Sequence, residues 1–256
     1  MKFRLIDSKD NTAAMNMAID EALLTSKKPV LRFYSWKPAG LSLGYFQNTQ
    51  VINLIQCKKL KVDVVRRLTG GNAVLHDKEL TYSLVIDEKE MPKSIVESYK
   101  VISSGLLEGL TNLGLKAVMN SEVSEGKKSA VCFNDPSWYE MVVNNKKIVG
   151  SAQKRIDGKI LQHGAVLIDT DVSKYCSLFN NCSSELIMKV KKRMTSINDE
   201  LKERVSYSAV ALAMRKGFEK VLGIEFEESE LTQEEKELAE KLERNKYSKD
   251  VWNLRR

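Results

Sequence analysis

The residues of this chain best suited to covalent chemistry are a cysteine, a lysine and a glycine-rich turn. Cys132 lies in SAVCFNDPSWYE (129–140), after the polar stretch Asn120–Ser129 and ahead of a strand. That polar stretch reads as a mobile loop. A thiolate is a strong nucleophile, and nearby cations lower its pKa; Lys127, Lys128 and Lys147 are the candidate cations. Asp135-Pro136-Ser137 fixes a turn behind the thiol. Cys57 falls in a basic helix, and Cys176 and Cys182 flank a polar turn. These three read as structural or incidental. Most free cysteines are small buried hydrophobes, so Cys132 alone is open to both readings.

RRLTGGNAVLHD (66–77) offers a second chemistry. Gly70 and Gly71 let the backbone approach a ligand or take positive φ. Arg66 and Arg67 present forks of donors for an anion or a carbonyl. The segment is neither a Walker A loop nor a GxGxxG fingerprint. A tight turn with a solvated arginine pair fits the spacing equally well. In KKIVGSAQKR (146–155), Lys147 begins a strand that Gly150 interrupts, and such a glycine often marks close approach of a ligand. The next strand holds LQHG, so Ser151, Gln153 and His163 are expected to share a region across a hairpin. Lys147 reads either as a surface lysine or as a group that polarises a carbonyl or moves protons. His163 reads either as a packed histidine or as part of a site.

Periodicity supplies the elements that must position these groups. Phe3–Ile6 is expected as a short edge strand. Thr12 precedes a helix with Met15, Ala18, Ile19, Ala22 and Leu23 at helical spacing, and with Asn16 and Asp20 on another face. Strands are expected over Val30–Trp36, Leu41–Phe46 and Val62–Arg66, with a helix over Gln50–Leu60. Ala73–Leu75 and Leu80–Ile86 read as paired strands joined by a polar turn, His76–Glu79. A long helix, Ser94–Leu113, ends at Gly114, and Lys116–Met119 reads as a strand. Trp138–Val143, Lys147–Arg155 and Lys159–Asp169 form a meander whose turns, Asn144-Asn145 and Asp157-Gly158, tolerate positive φ. From Asp171 the chain reads as mainly helical. Ser206–Leu222 is a strong amphipathic helix, and Thr232 with Glu235 forms a capping box for a last helix. One mixed α/β domain over residues 1–256 with a helical C-terminal part is the economical reading.

Composition narrows the function classes. No apolar run reaches the length of a membrane span, and MKFRLIDSKD lacks the apolar core of a signal peptide. A cytoplasmic location is therefore expected. Four scattered cysteines and two histidines speak against a zinc site or a disulfide framework. The net charge of +7 suggests an anionic partner. The basic clusters, Lys58/Lys59/Lys61 and Lys189/Lys191/Lys192/Arg193, lack the aromatic interleaving of a single-strand binder, and solvated helix faces also explain them.

Jointly and in order, NMAIDEALL, RRLTGG, AVLHD-KELTYS, VCFNDPSWYE, KIVGSAQKR, LQHG and the C-terminal KYSKDVWN resemble the biotin/lipoate protein ligase superfamily. Within it they are nearest to the octanoyltransferases of the LipM type, which are cysteine enzymes. The resemblance implies an α/β (α+β) fold of mixed β-sheets flanked by helices and an acyl tunnel beneath the glycine loop. It implies Cys132 as nucleophile and Lys147 as essential lysine. The acyl-site walls would come from the Arg66–His76 segment (Arg66, Arg67, Thr69, Gly70, Gly71, Asn72, His76), from Gly150, Ser151 and Gln153, and from His163 and Gly164. Relatives commonly carry Gly or Arg where this chain has Asn72, which can still adopt left-handed angles. The implied donor is octanoyl-acyl carrier protein. The implied acceptor is a lipoyl-domain protein such as glycine-cleavage H protein. No cofactor, metal, nucleic acid or membrane is implied. The rivals are an ATP-dependent lipoate–protein ligase, an amidotransferase between lipoyl domains, and a non-catalytic carrier-protein or nucleic-acid binder.

Overall fold

The computed structural model describes residues 2–120 and 140–255. Strand β1 (Lys2–Asn11) is followed by helix α1 (Ala13–Ala22), which Thr12 caps by accepting the Met15 N–H. Next come β2 (Val30–Trp36), β3 (Gly40–Leu43), α2 (Leu54–Lys59), β4 (Asp63–Arg66), β5 (Val74–His76) and β6 (Glu79–Asp87). Helix α3 (Ile95–Asn112) and β7 (Val118–Asn120) precede the meander β8 (Glu140–Val143), β9 (Lys146–Ile156) and β10 (Lys159–Leu167). The remainder holds α4 (Val172–Ser177), α5 (Ser184–Arg193), α6 (Ile197–Leu201), α7 (Tyr207–Leu222), β11 (Glu225–Glu228), α8 (Gln233–Leu242) and α9 (Asp250–Asn253).

The strands form two sheets, one of eight strands ordered β11-β1-β2-β6-β10-β9-β8-β7 and one of three ordered β4-β3-β5. Alternation along β2 sorts its side chains between layers. Leu31 and Phe33 join Leu80, Tyr82 and Leu84 under α3 and α7, while Val30, Tyr34 and Trp36 face the layer of α1 and α8. A third apolar cluster sits between the small sheet and α2, α4 and α5, and reaches Ala165 and Leu167 of β10. No helix among the described residues is long and apolar enough to cross a membrane.

Several expectations hold, including the meander, the Thr232–Glu235 capping box and the left-handed turn residues Asn144, Asn145, Asp157 and Gly158. Others are corrected. β1 is not an edge, because β11 adds parallel to it; the acidic sequence EFEE lacks the apolar alternation that signals a strand. β5 and β6 do not pair with each other. β5 pairs β3 in the small sheet, while β6 lies between β2 and β10, so the turn 77–78 is where the chain changes sheets. The expected helix over 50–60 is a 3-10 turn at Thr49–Val51, a break, and then α2.

α3 and α7 meet backbone to backbone. A Cβ on Gly217 would stand 2.3 Å from the Gly105 carbonyl oxygen and 2.5 Å from the Gly109 nitrogen. Alanine in an open helix gains about 1 kcal/mol over glycine. Gly217→Ala instead lowers stability by about 1–3 kcal/mol through overpacking, as urea unfolding will show; a gain in stability would contradict the close crossing.

Candidate active site

β2 places Arg32 on the same side as Val30 and Tyr34, beneath α1, where Asn16 and Asp20 share a helix face at i, i+4 spacing. Arg32 is fully buried. Its guanidinium donates to Asp20 Oδ1 (2.8 Å), Asn16 Oδ1 (2.6 Å), the Asn16 carbonyl (3.1 Å) and Ser8 Oγ (2.7 Å). The second Asp20 oxygen accepts from Tyr34 OH and from His163 Nδ1, both at 2.9 Å. Burial alone would raise the Asp20 pKa, but the hydrogen bond from His163 and the charge of Arg32 outweigh it, and the carboxyl stays below the usual carboxylate value. Burial pushes the His163 imidazolium down despite the opposing pull of Asp20. A carboxylate can only accept, so Nδ1 carries the proton and Nε2 of the neutral ring accepts from Thr69 Oγ1 at 2.7 Å.

From Thr69 the network continues into the glycine loop. Arg67 Nε donates to Thr69 Oγ1 at 3.2 Å, Nη1 to the Ser42 carbonyl at 2.9 Å, and Nη2 to the carbonyls of Gly70 and Asn72 at 2.7 and 2.9 Å. Gly71 supplies the left-handed φ of +90°; Asn72 does not adopt it. Ser42 Oγ meets His76 Nε2 at 2.8 Å, His76 Nδ1 meets Glu79 Oε1, and the His76 ring stacks on Trp36 with centroids 4.0 Å apart.

These groups enclose a cavity of about 570 Å³ between the two sheets. Met17, Tyr34, Trp36, Val74 and Ala165 give it apolar surface, and Arg67, Gly71, Asn72, His76, Lys147, Gly150, Ser151, His163 and Gly164 also line it. Lys147 is only 4% exposed. Its ammonium donates to Glu140 Oε1 at 2.6 Å, so the surface-lysine reading is excluded. Glu140 stands within a motif quoted above, but nothing in the spacing marked it as the partner. The sequence likewise gave no reason to single out Asp20, Arg32, Ser42 or Glu79. Their only signal is polar residues at helix and strand positions that periodicity turns inward.

Other expected site residues lie elsewhere. Arg66 does not line the cavity; its guanidinium donates to the carbonyls of Gly44, Gln47, Asn253 and Arg255. Thr69 and Gly70 stand behind the wall, Thr69 joining His163 to Arg67 and Gly70 accepting from Arg67. Gln153 shares with Ser151 the face of β9 opposite to that of His163, and bonds Gln162 Oε1 at 2.9 Å. Cys132 and its neighbours Lys127 and Lys128 lie outside the described residues. Cys57 and Cys176 are buried away from the cavity, and burial raises both thiols to about 11. Cys182 is exposed.

Comparison with known proteins places this geometry. Residues 12–219 match the lipoyl protein ligase A/B catalytic domain. The chain belongs to that family. It is 44% identical to Octanoyltransferase LipM of Bacillus subtilis (strain 168), over 99% of this chain and 98% of that protein. It is 41% identical to Octanoyltransferase LipM of Clostridioides difficile (strain 630), over 100% and 99%. Among solved structures, lipoate-protein ligase A bound with ATP superposes with a TM-score of 0.83 at 29% identity, covering 99% of both chains. The bi-partite lipoate protein ligase of Thermoplasma acidophilum gives 0.85 at 28%, covering 100% of this chain and 98% of that one. The mixed sheets flanked by helices are thus the lipoyl ligase catalytic fold.

The buried histidine of this catalytic domain sets a pH signature. Its folded pKa lies below the ordinary 6.5, so below that pH the unfolded chain binds the proton more readily. Stability therefore falls as pH drops from 6.5, by up to about 1.4 kcal/mol per pH unit. The Asp20 contribution is lost only at lower pH, below the ordinary 3.8. Urea unfolding between pH 7.5 and 5 checks this: His163→Gln flattens the slope, and an unchanged slope assigns it to another group.

Proposed function

We propose that this chain transfers an octanoyl group from a carrier-protein thioester to a lysine of a lipoyl domain, through a thioester on Cys132. The observation that carries the reading is the buried Lys147 ammonium on the wall of a partly apolar cavity, in a chain closely similar to proteins named as octanoyltransferases. Each methylene of an acyl chain gains about 0.8 kcal/mol on burial there.

The Cys132 thiolate attacks the octanoyl carbonyl, and the carrier thiol leaves with a proton. The neutral ε-amine of the acceptor lysine then attacks the acyl-enzyme carbonyl, the Cys132 sulfur departs, and the nitrogen loses a proton as the amide forms. Thioester to thioester is nearly isoenergetic and thioester to amide is downhill, so no nucleotide is needed. Lys147 stabilises charge on sulfur or oxygen in both steps. Glu140 holds the buried ammonium in place. His163 has both ring nitrogens committed to Asp20 and Thr69, so it shapes the wall rather than moving protons. Octanoyl carrier protein as donor and glycine-cleavage H protein as acceptor fit this scheme.

The likeness to ATP-binding ligase structures supports a second reading, lipoate activation with ATP. Intact-protein mass spectrometry separates the two. The expected result is a gain of one octanoyl group from octanoyl carrier protein, absent in Cys132→Ala. Retention by that variant of ATP-driven lipoylation from free lipoate would support the ligase. Lys147→Ala is expected to slow transfer by about 10²–10⁴-fold with the fold retained by circular dichroism; wild-type turnover would remove Lys147 from the mechanism.

A further inference from the structure

Two helices outside the small sheet carry a concentration of basic side chains. α2 ends in Lys58 and Lys59, with Lys61 just beyond; α5 ends in Lys189, Lys191, Lys192 and Arg193. All seven are exposed. The only carboxylate within 54–61 and 184–193 is Glu185. Among the described residues the lysine ion pairs involve Lys28, Lys78, Lys147, Lys159, Lys174, Lys220, Lys236 and Lys246, and none of the six lysines on these helices. The helix dipole favours cations in a last turn, which accounts for some of them. It gives no reason for the apolar side chains beside them: Leu54 is 41% exposed, Ile55 84% and Met188 58%. Exposed apolar groups edged by charge mark an interaction surface.

The placement of that surface identifies its partner. α2 and α5 bury Cys57 and Val190 in one apolar cluster, which also holds Val74 and Ala165 of the cavity wall. The chain leaving α5 runs onto β9, where Met194 bridges to Lys147 and the Thr195 N–H donates to the Lys147 carbonyl at 3.0 Å. Yet no residue of α2 or α5 lines the cavity. A protein seated there leaves the cavity open and must send its acyl group in on a long arm. An acceptor has only a lysine side chain to offer, so it must itself cover the mouth.

Resting on the function proposed above, we infer that the exposed faces of α2 and α5 dock the acidic donor carrier protein, whose prosthetic arm then reaches the cavity. The test is the triple charge reversal K189E/K191E/K192E, assayed with octanoyl carrier protein and with octanoyl-pantetheine, which has the thioester but no protein. The expected result is a KM for octanoyl carrier protein raised about tenfold or more at unchanged kcat, and no change for octanoyl-pantetheine. The wild-type KM for the carrier should also rise with salt, and the variant's should not. An unchanged KM for the carrier, an equal loss with octanoyl-pantetheine, or a rise in KM for the lipoyl domain instead would overturn the docking assignment while leaving the transferase reading intact. Failure of the wild type to accept octanoyl from either donor would overturn both.

Discussion

Arg32 is the constraint around which the site is built. A guanidinium with no solvent exposure must find charge and hydrogen bonds inside the protein, because an unpaired buried charge costs several kcal/mol. α1 answers with Asp20 and Asn16, and β1 with Ser8. Once Arg32 holds one oxygen of Asp20, the other is fixed in space and accepts the hydrogen bond from His163 Nδ1. The tautomer of His163 follows, then the direction of the Thr69 hydroxyl, then the seat of Arg67, then the carbonyls of Gly70 and Asn72. A buried ion pair is weak evidence for stability. Here its contribution is geometric: it sets the glycine loop from the far side of the core.

The opposite wall is set by the meander. Two left-handed asparagines close the β8–β9 turn, and the register that results puts Lys147 beside Val142 and within reach of Glu140. The meander therefore carries the Lys147 ammonium, paired with Glu140, and a histidine that burial keeps neutral, while the Arg67 guanidinium lines the cavity from the glycine loop. On the mechanism proposed above, a developing negative charge would meet cations already in place. Electrostatic preorganisation of this kind costs no rearrangement at the moment of reaction.

Much of this was legible in sequence, and what was not has specific causes. Strong local signals match the structure: the Thr12 and Thr232 caps, the β-branched and aromatic content of Val30–Trp36, and the two hairpins with positive-φ turn residues. What failed depends on distant partners. The turn at 77–78 reads as a hairpin because local sequence cannot say that the two strands belong to different sheets. β11 escapes notice because a strand added at an edge needs backbone groups rather than apolar side chains. Asp20 was seen as polar on another helix face, but the fact that this face is buried depends on Arg32, twelve residues on. Ser151 and Gln153, two apart on β9, share the face bonded to Tyr82 and Gln162, whereas His163 points to the opposite face, so closeness across the hairpin overstated what Gln153 shares with the site.

Arg66 and Arg67 show why a motif can be right as a signature and still mislead about contact. The two guanidiniums take separate directions, and only Arg67 reaches the cavity wall. Arg66 gathers carbonyls of the 44–47 turn and of the C-terminal segment, while the Trp252 indole donates back to its own carbonyl at 2.9 Å. A lysine could carry the charge but not the planar fork that satisfies carbonyls in several directions at once. The turn at 44–47 supplies Gln47 to the cavity lining and is held by Arg66. The arginine that never faces the cavity thus joins the last helix of the chain to its rim. An RR pair at this point of the fold is one side chain for the inner wall and one for the strap that closes behind it.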